Sequence, residues 1–469
     1  MSDTAAQDTS RRTALIVVCC TSFITPLMLS GVNVAIPAIA ETMQADAVLL
    51  SWIPTAFLLT TAVFLLPAGK LGDILGRRKM YITGMVIVTL GSLLAALAGN
   101  IHVLIAGRFV QGLGTSLIAT SGLPMLISLF PANRRGSVVG LTTSCVYFGL
   151  TGGPLIGGLC TDYLSWRALF VVHVPVVLVL FWVTLTRLQG EWTGESERRL
   201  DLAGAVLFGA GISALVYGLT KLPNLYSLGL ILPGLALLTG FFQYEKRLSD
   251  PLLDVRLIFE NRLFLFSILA ALLLYSASYG LSYLMSLYLQ YIQGLSAKIA
   301  GLVLVAQPIM MALLTPFTGR LSDRIEPRLL ATAGLLLNIT GYALLSLSDA
   351  DTSLLYIILC LLTTGTGFAL FSSPNMNAIF GAVGKGQLGT ASGITNTVRV
   401  VGQMFSMAII TVVFAMNMGK VRITPELHPL LMDNISFCLG ISALLAALAM
   451  LSSSLRGNMH KESRVRGQV

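Results

Sequence analysis

Charge is what this chain of 469 residues has least of. Only 11% of its residues are Asp, Glu, Lys or Arg, against roughly 25% in an ordinary soluble domain. Acids are scarcer than bases, 21 against 30, and there are only 4 histidines and 4 tryptophans. So little polar sequence excludes a separate soluble catalytic domain and a nucleic-acid platform. The six cysteines (Cys19, Cys20, Cys145, Cys160, Cys360 and Cys438) all sit in apolar sequence without paired spacing. They imply neither a disulfide framework nor a zinc site, and read as buried, inert thiols. No Gly-x4-Gly-Lys-Ser/Thr occurs, so nucleotide-driven pumping would need a partner chain. Without His-Glu-x-x-His or Gly-x-Ser-x-Gly, no familiar hydrolase chemistry is present, and the chain is expected not to be an enzyme and to need no metal or cofactor.

What fills the space is apolar sequence: 55% of the chain, with a mean hydropathy of +0.82. A helix needs roughly 20 apolar residues to cross a bilayer. Thirteen uncharged runs of 19 residues or more lie between 13–40 and 434–455, and a fourteenth, 388–415, is broken only by Arg399. Fourteen spans put both termini on one side. Of the 30 basic residues, 23 fall on the side of the N-terminal tail. Five fall opposite (Arg167, Lys221, Lys298, Lys420 and Arg422), and Arg108 and Arg399 lie within spans. Basic loops stay in the cytoplasm, so both termini are expected there, in a multi-pass protein of the cell membrane. The net charge of +9 is then a topological signal and implies no nucleic-acid partner. The uncharged run after Arg11-Arg12 lacks a small-residue cleavage site and reads as an uncleaved first span.

Two stretches recur at almost one offset. Gly69-Lys-Leu-Gly-Asp73 returns as Gly319-Arg-Leu-Ser-Asp323, 250 residues later, and Gly112-Leu-Gly114 returns as Gly365-Thr-Gly367, 253 later. An internal repeat follows. It divides the chain into a tail (1–13), a six-helix bundle (14–187), a linker with two extra spans (188–263), a second six-helix bundle (264–455) and a tail (456–469). The fold class expected is an all-α polytopic membrane protein, with two bundles around a pseudo-twofold axis along the membrane normal.

Four motifs carry a resemblance, over essentially the whole chain, to the fourteen-helix drug/proton antiporter branch (EmrB/QacA type) of the major facilitator superfamily. Gly69 to Lys79, containing Asp73, Gly76, Arg77 and Arg78, resembles the signature loop between helices 2 and 3. The resemblance implies a conformational latch, with Gly319, Asp323 and Arg324 as its second copy; Ile74 stands where a basic residue is usual. Arg108-Phe-Val-Gln111-Gly112-Leu-Gly114 resembles a pattern tied to proton coupling. Gly149-Leu-Thr-Gly152-Gly153-Pro154-Leu-Ile-Gly157-Gly158 resembles the motif of antiporters. Its small residues at four-residue spacing also suit close helix packing. Asn33-Val-Ala-Ile-Pro37, followed by Trp52 and Phe57, resembles the opening of the branch, with Met28 where an aspartate is usual.

The resemblance implies a secondary active exporter of amphipathic small molecules, working by alternating access, drawing on a proton gradient and acting as a monomer in the bilayer. Yet every Asp and Glu falls in a tail, a loop or the edge of a span, whereas a proton-driven exporter of cations normally uses a buried acid. His173 alone among the histidines lies in a span, and reads either as a titrating group or as a hydrogen-bonded structural one. With Arg108 and Arg399 the only charges within the spans, the expected substrate is neutral, zwitterionic or anionic. A dedicated metabolite or lipid-like exporter with atypical or absent coupling is the alternative. Polar side chains expected to line the cavity, or to bond between helices, include Asn33, Gln111, Gln307, Asn375 and Asn396, with Tyr275, Tyr279 and Tyr283 along one face of span 9.

Overall fold

The computed structural model describes residues 2–457, apart from 189, 194–199, 223, 323, 385–386 and 420 and the side chains of 2–9 and 132–136. Among these residues fourteen helices are long and apolar enough to cross a membrane. In chain order they are α1 (Ser10–Met43), α2 (Ala47–Leu75), α3 (Arg77–Ala96), α4 (Ile101–Leu129), α5 (Ser137–Tyr163), α6 (Ala168–Arg187) and α7 (Leu202–Leu219). They continue as α8 (Leu225–Glu245), α9 (Arg262–Ile292), α10 (Ala297–Ser322), α11 (Pro327–Ser346), α12 (Leu354–Gly381), α13 (Leu388–Asn417) and α14 (Pro425–Leu455). No strand occurs among the described residues. Helices satisfy every backbone group within the segment, as hydrocarbon demands.

The scarce polar residues between the apolar runs start these helices. Asp46 accepts from the Leu49 amide at 2.8 Å, Asn100 from Val103 at 3.0 Å, and Asn261 from Phe264 at 3.1 Å. Each thereby satisfies a donor that the first turn leaves open. Two boundaries differ from the sequence reading. The first helix extends back to Ser2, so the N-terminal tail continues α1. The last begins a turn and more before 434, because the Pro425–Leu427 turn and Pro429 start it, and the exposed Asp433 falls inside it. Three spans are interrupted: α6 at 172–173, α9 at Tyr279, and α10 at Val305.

The helices pack through glycines. A Cβ on Gly84 of α3 would sit 2.7 Å from the Gly114 carbonyl of α4, and one on Gly91 would meet the Gln111 amide at 2.7 Å. The α11–α12 pair repeats this, with Gly334 against the Gly367 carbonyl at 2.5 Å and Gly341 against Thr364. The inserted α7 and α8 form a hairpin closed at Gly211 and Gly234, and lean on α2 where Gly209 meets Val63 and Tyr217 meets Trp52.

Contacts between the first six and last six helices gather at the end opposite the termini. The Lys298 amide donates to Asp162 at 3.0 Å and its ammonium to the Tyr163 hydroxyl at 2.8 Å. Gln290 donates to the Val34 carbonyl at 2.9 Å, and the Ala47 amide to the Val421 carbonyl at 3.2 Å. Toward the other end, Gly140 of α5 and Gly389 and Gly393 of α13 have nothing near the place of a Cβ.

Candidate functional site

Arg108 lies in α4 with none of its surface exposed. An arginine at this depth costs on the order of 2.5–3.5 kcal/mol on insertion scales, so its surroundings have to offset a charge. They do so on three sides. Its Nε donates to the Ile53 carbonyl at 3.2 Å, its Nη1 to Gln111 Oε1 at 2.9 Å, and its guanidinium lies 4.5 Å from the Phe57 ring centre. A tyrosine would offer a hydroxyl here; Phe57 offers only its face, which attracts the cation.

From Gln111 the network runs across the bundle. Gln111 Nε2 donates to Ser92 Oγ at 2.7 Å, and Ser92 Oγ lies 2.8 Å from His173 Nε2. His173 Nδ1 is 3.1 Å from the Leu169 carbonyl, which can only accept, so Nδ1 carries a hydrogen. In the neutral ring, Nε2 accepts from the Ser92 hydroxyl. In the charged ring, Nε2 donates instead and the hydroxyl turns to the Val88 carbonyl, 2.7 Å away. His173 is thus hydrogen-bonded at the break in α6, and the state of its ring decides which way the Ser92 hydroxyl turns, while the Gln111–Ser92 and Arg108–Gln111 bonds are the same in both cases. Ser92 was not singled out from the sequence. Its place one residue after Gly91, on the tightest face of α3, is the signal that could have found it.

One donor nitrogen of Arg108 remains unused. Its Nη2 is buried with no hydrogen-bond partner among the described residues, as are Asn33 Oδ1 and the Tyr279 hydroxyl. Tyr279 lies beside the Asn33 amide and within electrostatic reach of Arg108. Here the Gly280 amide leaves the helix ladder for Ser406 Oγ at 2.9 Å, and α9 sets a second-half hydroxyl beside an amide on α1 and near a cation on α4. The other tyrosines of the stripe pack: Tyr275 edge-on against Phe368 at 5.7 Å, and Tyr283 against Phe414 at 6.4 Å. Tyr147 of α5 and Ser372 share a 3.0 Å hydrogen bond beside Tyr275. Arg399 is half-buried within reach of that same ring.

The glycine motif of α5 faces two ways. Gly149, Gly153 and Gly157 press against Phe23, Leu27 and Gly31 of α1, where any Cβ would strike backbone. Gly158 meets the Ala297 carbonyl of α10, and the Pro154 carbonyl lies under Gly301. One helix is thus wedged between α1 and the second half.

In the loop after α2, Asp73 pairs with Arg77 at 2.5 Å and Arg77 also donates to the Thr120 carbonyl at 3.3 Å. Gly76 takes φ +104°, a conformation that favours glycine. Arg78 donates its amide to Glu191 at 2.8 Å and its guanidinium to the Leu185 carbonyl at 3.0 Å. Gly69 lies over Thr120 as Gly319 lies over Ser373, so the repeat is geometric as well. Arg324 is exposed, and Asp323 lies outside the described residues.

Of the other polar positions, Asn375 is placed away from this cluster. Its amide donates to the Ser267 carbonyl at 3.1 Å and accepts from the buried Arg456 at 2.9 Å. Both its polar atoms are thus engaged inside the second bundle, because the chain turns Arg456 back under α12. Gln307 presents its carbonyl to Gly365, and Asn396 is half-buried on α13.

A family model described as Major Facilitator Superfamily matches residues 18–407. The chain is 29% identical to the riboflavin transporter RibZ of Clostridioides difficile (strain 630), over 86% of this chain and 88% of that one. It is 32% identical to the multidrug resistance protein Stp of Mycobacterium tuberculosis (strain CDC 1551 / Oshkosh), over 82% and 72%. The fold matches that of a peptide transporter POT solved with sulfate, at a TM-score of 0.69 and 13% identity, over 94% and 95% of the two chains. Fourteen apolar helices, two repeated bundles and a family match across most of the length converge: this chain belongs to the Major Facilitator Superfamily and is a membrane transporter, not an enzyme.

Proposed function

We propose that the protein is a secondary active exporter of neutral, zwitterionic or anionic amphipathic molecules, driven by exchange for protons. The observation that carries this reading is Arg108, a buried cation whose Nη2 has no hydrogen-bond partner among the described residues and which lies within electrostatic reach of Tyr279, itself beside the Asn33 amide. Leaving such groups unpaired costs about 1–3 kcal/mol each, more for a charge. A ligand that accepts from Arg108 and bonds Tyr279 recovers that energy and ties the first half to the second. Protonation of His173 sets a second positive charge within electrostatic reach of Arg108, which offers a route for coupling without a carboxylate. The contacts gathered at the end opposite the termini describe a carrier open toward its termini. In this reading that side is the cytoplasm, the membrane is the cell membrane, the halves are residues 14–187 and 264–455, and the carrier acts as a monomer. Export is supported by the resistance function in the name of one relative, and by the glycine motif in α5.

A narrower reading, one dedicated neutral or anionic metabolite, draws support from the relative named as a riboflavin transporter. Transport into proteoliposomes, with and without an imposed pH gradient, tests both. Ethidium, riboflavin and fluorescein serve as cationic, neutral and anionic probes. The proposal expects gradient-stimulated transport of the neutral or anionic probes; riboflavin alone selects the narrower reading. Gradient-driven ethidium transport that no single carboxylate substitution abolishes would overturn it.

A further inference from the structure

The inserted hairpin holds two acids that the transport reading leaves without a task. Asp201, at the start of α7, accepts through Oδ1 from the Gly204 amide at 3.0 Å and the Tyr244 hydroxyl at 3.3 Å. Glu245, only 1% exposed, ends α8 and accepts through Oε2 from the Leu253 amide at 3.2 Å. Their other oxygens, Asp201 Oδ2 and Glu245 Oε1, are buried and receive no hydrogen bond from any described donor. The two carboxyl groups lie within hydrogen-bonding reach of each other. Both crowd the open side of Gly204, where a methyl group would collide with each.

Two carboxylate oxygens cannot bond one another, and two like charges at that separation away from water cannot both persist. One proton between them converts the repulsion into a short, charge-assisted O–H···O bond. A metal ion fits less well. Magnesium takes an octahedron of oxygens and calcium six to eight, whereas the amides of Gly204 and Leu253 already fill the other carboxylate oxygens as donors. Among the other ionisable groups nearby, Arg256 gives its Nε and Nη2 to the Lys246 carbonyl at 3.1 and 2.9 Å, beside Glu245 at the end of α8. Tyr244 faces Asp201, Lys246 and Arg247 point into solvent, and Lys70 of α2 is paired with Asp250.

We infer that the base of the α7–α8 hairpin is a proton-binding site, where Asp201 and Glu245 share one proton that holds the 246–254 turn against α2. The turn has two anchors: Glu245 fixes its far end through the Leu253 amide, and Asp250 within it grips Lys70. Lys70 is three residues before Asp73, in the loop that carries the Asp73–Arg77 pair. Loss of the proton to water leaves two adjacent carboxylates, which separate, slacken the turn and weaken the grip of Asp250 on Lys70. The two extra helices thereby become a pH-responsive tether on the loop between α2 and α3, whether or not transport itself is proton-driven.

Infrared spectroscopy of the full chain in lipid at neutral pH tests this directly, with amide hydrogen exchange at Leu253 as the second readout. The wild type shows a protonated-carboxyl stretching band that Glu245→Gln abolishes. Its Leu253 amide is protected at neutral pH and loses protection in alkali. In Glu245→Gln the carboxamide still accepts from Leu253 and donates to Asp201, so protection persists at both pH values. Should that variant fold poorly, Asp201→Asn also removes the band while leaving a donor toward Glu245. A spectrum unchanged by both variants overturns the proposal, as does a band that magnesium or calcium chloride alone eliminates, which would assign the site to a metal.

Discussion

The α3–α4 pair and the α11–α12 pair are one packing built twice and filled differently. Gly84 and Gly91 close the first pair as Gly334 and Gly341 close the second, against matching positions 253 residues apart on the partner helices. The polar content does not repeat. Where α4 has Arg108 and Gln111, α12 has Leu361 and Thr364; where α3 has Ser92, α11 has Tyr342, whose hydroxyl donates to Ser278 at 2.9 Å. Close packing is needed in both bundles because each moves as a body, and glycine contacts supply it. The buried cation of the second bundle, Arg456, stands elsewhere, bonded to Asn375 at 2.9 Å and not at the position that matches Arg108. In the proposed reading the first half carries the coupling network and the second faces it with Tyr279.

Exchanging residues between the halves breaks the comparison most sharply. Leu361→Arg puts a cation where no Gln111, Ser92 or Phe57 equivalent waits. About 2.5–3.5 kcal/mol of destabilisation is expected, read as a collapse of folded yield and melting temperature in detergent. Arg108→Leu makes the first half resemble the second. Transport is expected to fall about 10- to 100-fold, the worth of a charged hydrogen bond of 1.5–3 kcal/mol, while the melting temperature holds or rises, since replacing buried charge by apolar volume is often stabilising. Gly84→Ala and Gly334→Ala test what is shared. Each drives a methyl into a facing carbonyl, and each should cost about 1–3 kcal/mol of stability by thermal unfolding; a large inequality would break the equivalence of the two packings. The smallest effect is expected from His173→Asn, which keeps a polar partner for Ser92. Transport persists, but its dependence on pH flattens, as a rate–pH profile would show.

Much of this was legible in the residues. The spans and their number followed from charge placement, because a bilayer allows charge in few places, and the repeat from two motifs that recur at nearly one offset. Arg108 was legible as a group that needs polar partners inside the bundle for the same reason as the spans, and the structure supplies them in Ile53 and Gln111. What lay beyond the sequence were the meetings of distant segments. Asn33 and Tyr279, 246 residues apart in the chain, come together only when α9 packs against α1. Asp201 and Glu245 each read as an ordinary acid at a span edge, 44 residues apart, until the hairpin closes at Gly211 and Gly234. Asn375, one polar residue among several in apolar sequence, could not be told from a ligand contact until Arg456 was seen to fold back onto it.

The claim on which the rest depends is that the Arg108–Gln111–Ser92–His173 chain of the first half couples proton movement to the site shared with Tyr279. Proteoliposome transport of riboflavin and fluorescein under an imposed pH gradient, compared between wild type and Arg108→Leu, tests it most directly. The account predicts gradient-stimulated transport in the wild type, and its loss in a variant that stays folded and inserted. Equal stimulation in both proteins would contradict it.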